Sequence, residues 1–373
     1  MNRLEHRLRV VTIAVLLPLA AIAQPLPDDI DPRSRNRLPP IGSEAAMGVA
    51  GIMQHASDID ARFEAAVGRA LSELAILIVA REHDQPYEWS LHELEAVAVG
   101  LDLAAIDAVK HRRALDDLGE AEAVIIQLGR ELFGEHALSA ETYAHAVRLF
   151  GQTELVDVVR LMGNYVATAI RLTAFNQHMP PGWRQFLPLP FEQPDDIHAD
   201  TQSRLPPATP RPRTPGGERV LYSRGLAPAG TGPGLIRGHS PDPAALEASV
   251  GRALVDLAVM ITARAYDAQY IWTTTEPAAR EHGLEPAVID AVRSDGPTTG
   301  LPDRDAALID LGRELLGAHT VRPQTYARAQ ELLGRSALVG LVNVMGATAE
   351  QATLLLAFDQ RLPAGTTPLL PAR

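Results

Sequence analysis

Laid against itself at an offset of 183 positions, the chain matches without a gap from Glu64 to Gly182 against Glu247 to Gly365, with about 50 identities in roughly 120 positions. A repeat of that length constrains the fold more than any local motif, because both copies must bury the same faces. The clearest blocks are VGRAL at Val67 and Val250, LGREL at Leu128 and Leu311, TYA at Thr142 and Thr325, and AFNQ against AFDQ at Ala174 and Ala357. A preamble also recurs at a different offset, PDDIDPRSRNRLPP from Pro27 and PDDIHADTQSRLPP from Pro194. The second copy therefore carries about 16 extra residues between preamble and body, within Ala208 to Ser240 and rich in Pro and Gly.

Each body reads as helices. From Arg62 to Arg81 the apolar residues Phe63, Ala66, Val67, Ala70, Leu71, Leu74, Ile78 and Val79 recur at intervals of three and four, the mark of a buried stripe. Gln85 and Pro86 interrupt it. A second helix is predicted from Tyr87 to Val99, stopped by Gly100, and a third from Leu103 to Val109. Glu120 to Phe133, ended by Gly134, and Ala140 to Phe150, ended by Gly151, continue the series. Glu154 to Phe175 is apolar on most faces and is expected to be the central helix. No stretch alternates with a period of two for long enough to propose a sheet. The expected fold is all-α, two tandem helical bundles related by a pseudo-twofold. Between Gly182 and Pro243 lie 12 of the 29 prolines, so that segment is expected to run extended and to carry no chemistry.

At 373 residues with 46% hydrophobic side chains, the chain can fill a sizeable core. Its first 23 residues have the form of a cleavable secretory signal: Arg3, Arg7 and Arg9, the apolar run from Val10 to Ala20, then Ala21, Ile22 and Ala23. The run is short of the roughly 20 residues that span a bilayer and contains Pro18, so export with a cut after Ala23 is expected, to the periplasm or the medium. Losing that segment takes the formal charge from -12 to -14 through three arginines and Glu5. Nucleic acid and anionic membrane surfaces are disfavoured partners, because both need a basic footprint. With no cysteine there is no disulfide and no thiol chemistry, so catalysis falls to carboxylates, imidazole or a hydroxyl.

The two copies differ most tellingly at YEWSLH, Tyr87 to His92, against YIWTTT, Tyr270 to Thr275. Glu88 and His92 are four apart on one predicted helix and face the same way. Such a pair is commonly a solvated face worth about 0.2–0.5 kcal/mol. Its setting between Tyr87 and Trp89, in a stretch that otherwise matches its copy, favours a proton-handling role. Antiparallel packing across EHDQP would bring Glu73 towards His92, and a carboxylate beside an imidazole sets its tautomer. Such a set suits proton transfer at a carbon acid or enolate. His136 recurs as His319 just after LGREL and reads as a helix-end structural group. Glu73, Glu88 and His92 could also be written as metal ligands, but no His-x-x-x-His or comparable spacing occurs, so neither metal nor cofactor is expected.

Through SELAILIVAREHDQPYEWSLHELEAVAVGL (Ser72 to Leu101), the PDDI…RLPP preamble and ELVDVVRLMGNYVATAIRLTAF (Glu154 to Phe175), the chain resembles the carboxymuconolactone decarboxylase family of the AhpD-like superfamily. The resemblance covers both copies. It implies AhpD-like helical bundles, a homotrimer of fused pairs, a pocket near the motif helix, and cofactor-free proton transfer as carbon dioxide leaves an unsaturated lactone acid. The peroxidase branch carries Cys-x-x-Cys with a His four residues later and a Glu on the preceding helix. Here Glu73 and His92 match that Glu and His, while Gln85 and Glu88 occupy the thiol positions, so thiol peroxidase chemistry is unavailable.

The expected organisation is a signal at 1–23, a first unit at 24–182, a Pro/Gly-rich linker with the second preamble at 183–243, and a second unit at 244–373. In that second unit Glu73, Glu88 and His92 become Asp256, Ile271 and Thr275. The first unit is thus read as a lyase or isomerase site acting on a small carboxylic acid or lactone, with Glu73, Glu88 and His92 catalytic and Tyr87 and Trp89 contacting substrate. The competing reading is a non-catalytic binding or scaffolding protein, in which Glu88 and His92 would point to bulk solvent.

Overall fold

The computed structural model describes residues 26–42, 46–57, 67–189, 195–209 and 230–371. The expected signal and its cleavage site lie outside these residues. Among the described residues the chain is all-helical, with no strand and only an isolated bridge between His198 and Ser203. After the short α1 (Gly48–Met53), the first body comprises α2 (Arg69–Glu82), α3 (Pro86–Ala98), α4 (Leu103–Lys110), α5 (Glu120–Arg130), α6 (Ala140–Phe150) and α7 (Gln152–Ala174). The short α8 (Gly232–His239) and α9 (Pro243–Val250) lead into the second body, α10 (Arg252–Ala265), α11 (Gln269–Glu281), α12 (Pro286–Arg293), α13 (Asp303–Gly317), α14 (Pro323–Leu333) and α15 (Arg335–Ala357).

The helices fall where the periodicity places them, with three differences. Gly68 at φ +81° breaks the expected Arg62–Arg81 helix, so α2 starts at Arg69, and residues 61–66 lie outside the described chain. Gly251 at φ +83° separates α9 from α10 in the same way. The helix expected to end at Gly134 instead passes from α5 into a π-turn, Glu131–Glu135, and stops at His136 in the left-handed conformation (φ +51°). The third difference is the Pro-rich segment, which was expected to be extended throughout. Pro233 sits in the first turn of α8, where proline's fixed φ and missing N–H favour a helix start.

At the centre, α7 and α15 pack along each other, and each buries most of its faces. Gly163 and Gly346 make that contact close. A Cβ on Gly163 would stand 3.1 Å from the Glu350 carbonyl oxygen, and one on Gly346 would stand 3.2 Å from that of Ala167. α15 is the one helix among the described residues long and apolar enough to cross a membrane, and 72% of that window is buried.

Each preamble braces the junction between bodies. Arg37 pairs with Asp29, donates to the Ala357 carbonyl and lies over the Tyr143 ring. Arg204 pairs with Asp196, donates to the carbonyls of Ala174 and Val321, and lies over the Tyr326 ring. The two histidines read as helix-end groups each pack on an aromatic ring of the other body. His136 stacks on Tyr266 at 5.4 Å between centroids, and His319 stacks on His83 at 5.2 Å. Within this cluster His83 Nδ1–H donates to the Val79 carbonyl, which leaves Nε2 to accept from the Tyr266 hydroxyl at 3.2 Å. Burial, with the neighbouring His319 and His136, pushes the His83 pKa down to about 3.

Candidate functional site

The turn between α2 and α3 sets the site. The Gln85 N–H reaches back to the Ala80 carbonyl while Asp84 takes a left-handed conformation (φ +46°), which closes α2. The Gln85 side chain then caps α3 by accepting from the Tyr87 N–H, and Pro86 fills the first helical position. Its amide donates to Thr173 Oγ1 at 2.9 Å, which ties the start of α3 to α7. Glu73 lies about 14 Å back from the end of α2 and His92 about 9 Å into α3, at 1.5 Å per residue. Antiparallel packing therefore brings them within about one turn of each other.

His92 Nδ1 lies 2.8 Å from Glu73 Oε2. Glu73 is fully buried and His92 is 8% exposed. A carboxylate can only accept, so the imidazole proton sits on Nδ1 and the lone pair on Nε2. Glu73 Oε1 has no hydrogen-bond partner. One turn before His92, Glu88 is 2% exposed and neither of its carboxyl oxygens has a partner. Burial raises the Glu88 pKa well above the usual carboxylate range, which keeps a proton on it as a latent acid. Three buried carboxyl oxygens, Glu73 Oε1 and both of Glu88, thus have no partner, in surroundings where buried polar atoms are ordinarily paired. Among the described residues no group of three or more His, Asp or Glu side chains is arranged to hold a metal ion.

The two aromatic residues are placed differently. Tyr87 is buried, and its hydroxyl lies 2.8 Å from Thr231 Oγ1 in the approach to α8. Burial pushes the phenol up to about 12, with the Thr231 bond acting against it. Trp89 is fully enclosed; its indole N–H donates to Glu93, and Lys110 binds Glu93 while lying over the indole. The same trio recurs as Trp272, Glu276 and Arg293, so this arrangement belongs to the scaffold of both bodies.

Two residues were missed in the sequence reading. Tyr165 on α7 presents its ring edge-on to His92, 5.0 Å between centroids and 90° between planes. It was legible in the same comparison that singled out His92, because its counterpart is Thr348. Thr231 lies in the segment from which no chemistry was expected. Its contact with Tyr87 closes over 144 positions, and no local pattern announces it.

The second body has a different arrangement at these positions. Asp256 Oδ2 lies 2.6 Å from His282 Nδ1 towards the surface, while Ile271 and Thr275 replace the acid and the imidazole. No family model, curated protein or solved structure matches the chain.

Proposed function

We propose that the first body is a cofactor-free lyase or isomerase site of the carboxymuconolactone decarboxylase kind, transferring a proton to or from a small carboxylic acid or lactone. The observation that carries the reading is the buried 2.8 Å Glu73–His92 pair, with a second buried carboxyl without a partner, Glu88, one turn earlier than His92 on the same helix. Neither Glu88 nor His92 points to bulk solvent, which is the placement a binding-only protein was expected to show.

In this mechanism His92 Nε2 takes a proton from carbon and returns it in an isomerisation, or, in a decarboxylation, first takes a proton from solvent water and gives it to the carbanion left when carbon dioxide departs. Glu73 holds the ring in the Nδ1–H tautomer and stabilises the imidazolium that forms. Protonated Glu88 donates to the enolate oxygen and recovers its proton as the product forms. Tyr87 closes the side beneath Thr231, and Trp89 supports the wall by holding α3 in register.

The same reading takes the two bodies as AhpD-like bundles related by a pseudo-twofold and assembled as a homotrimer of fused pairs, with three competent sites. It also takes the chain as exported after removal of its leading segment.

The test incubates the full chain in D2O with a panel of unsaturated lactone acids and β-keto acids, following deuterium uptake and loss of the carboxyl carbon by NMR. His92→Ala is expected to lower the rate by about 100-fold or more with the helical circular dichroism unchanged, and Glu73→Gln by less. Equal rates for wild type and His92→Ala would remove the proposal.

A further inference from the structure

The second body holds a cavity of about 450 Å³ between α10, α11, α15 and the segment around α1. Its lining includes Tyr270, Ile271, Thr275 and Thr348, the counterparts of Tyr87, Glu88, His92 and Tyr165. In the first body the His92 and Tyr165 rings pack edge to face at this place. In the second body both rings are replaced by threonine, and the space they would occupy is open. The substitutions that remove the proton-handling groups therefore also create a void, within the ~300–1,000 Å³ range of small-molecule sites.

We infer that this cavity is a second ligand site, selective for a neutral, largely apolar small molecule that carries one hydrogen-bonding group. Charge decides the first part. Among the described residues no acidic, basic or imidazole side chain lines the cavity, and an ionised ligand entering it would lose hydration without a counter-charge. Ile271, Val259, Val344 and Leu355 supply the apolar wall. The hydrogen-bonding part follows from the hydroxyls and one amide on the wall. Thr348 Oγ1 already donates to the Val344 carbonyl at 2.8 Å, and Thr274 Oγ1 to the Tyr270 carbonyl at 2.8 Å, so both oxygens are left as acceptors, while the Tyr270 and Thr275 hydroxyls and the Gln351 amide can donate or accept. The wall at Gly48 is held by its N–H donating to Gln360 Oε1 at 2.9 Å. No step of this inference depends on turnover in the first body.

The probe is N-phenyl-1-naphthylamine, a neutral compound whose naphthyl and phenyl groups are joined by one N–H, titrated into the full chain by fluorescence. Saturable binding at one equivalent per chain is expected. Restoring the rings with Thr275→His and Thr348→Tyr is expected to weaken binding at least 10-fold. Should that pair fail to fold, Ala347→Trp at the exposed mouth of the cavity is expected to do the same. His92→Ala is expected to bind the probe like wild type, which separates this site from the first body. Three results would overturn the inference: no saturable binding by wild type, unchanged affinity in the folded cavity-filling variants, or equally tight binding of the anionic 1-naphthoate. Absence of binding together with a change of oligomer mass in Ala347→Trp would instead give the cavity to a second copy of the chain.

Discussion

Replacing Glu88 by isoleucine, the residue its counterpart Ile271 already supplies, should stabilise the protein in a way that depends on pH. The wild-type carboxyl is 2% exposed and neither oxygen has a partner, so its burial costs about 1–3 kcal/mol even when protonated. Ile271 is 7% exposed at the matching place, so the scaffold accepts an aliphatic side chain there. The sign of the pH dependence follows from the raised pKa of Glu88 in the folded chain. Below about pH 4.5 folded and unfolded chains both hold the proton, and the carboxyl contributes no slope. Above it the unfolded chain releases the proton while the folded chain keeps it, and wild type loses about 1.4 kcal/mol per pH unit until the folded group ionises. Glu88→Ile has no such loss. Urea denaturation of both proteins at intervals from pH 4.5 to 7.5, followed by tryptophan fluorescence, should show the variant about 1–3 kcal/mol more stable at the acid end, with the difference widening as pH rises. A difference that stays flat, or a less stable variant, would show that Glu88 is not a protonated acid in a dry site. Turnover in the same variant should fall, the usual cost of removing a strained functional group.

His83 should act in the opposite direction. Its folded pKa of about 3 lies below the unfolded value near 6.5, so its contribution is intact above pH 6.5 and is lost at about 1.4 kcal/mol per unit as pH falls towards 3. His83→Phe should shift the acid-unfolding midpoint downward, and an unchanged midpoint would place the titration elsewhere. Gly163→Ala sets a Cβ 3.1 Å from the Glu350 carbonyl oxygen and should cost about 1–3 kcal/mol by forcing α7 and α15 apart, read as a lowered thermal midpoint. Tyr165→Thr, copying Thr348, should lose about 3–5 kcal/mol as the ring leaves a void beside His92; preserved stability would mean that the site collapses around the gap.

The all-helical character was legible because stripes at three and four mark buried helix faces whatever the partner. Glu73 and His92 could be paired from the sequence because one short turn joins their helices and places them within about one helical turn of each other. Tyr165 was legible in principle, since threonine replaces it in the second copy, but only by comparing the copies beyond the motif. The break at Gly68 lay hidden inside a periodic run, because glycine's left-handed freedom leaves no trace in hydrophobic spacing.

The repeat and its asymmetry belong to the sequence alone: two copies of one helical scaffold, with the acid and imidazole kept in the first and lost from the second. Only the folded chain decided that Glu88 is buried without a side-chain or backbone partner, that Thr231 meets Tyr87, and that a cavity lies where the two rings are replaced by threonine. Such features depend on which surfaces close over a side chain, and those surfaces come from segments far apart in sequence, which no local pattern records.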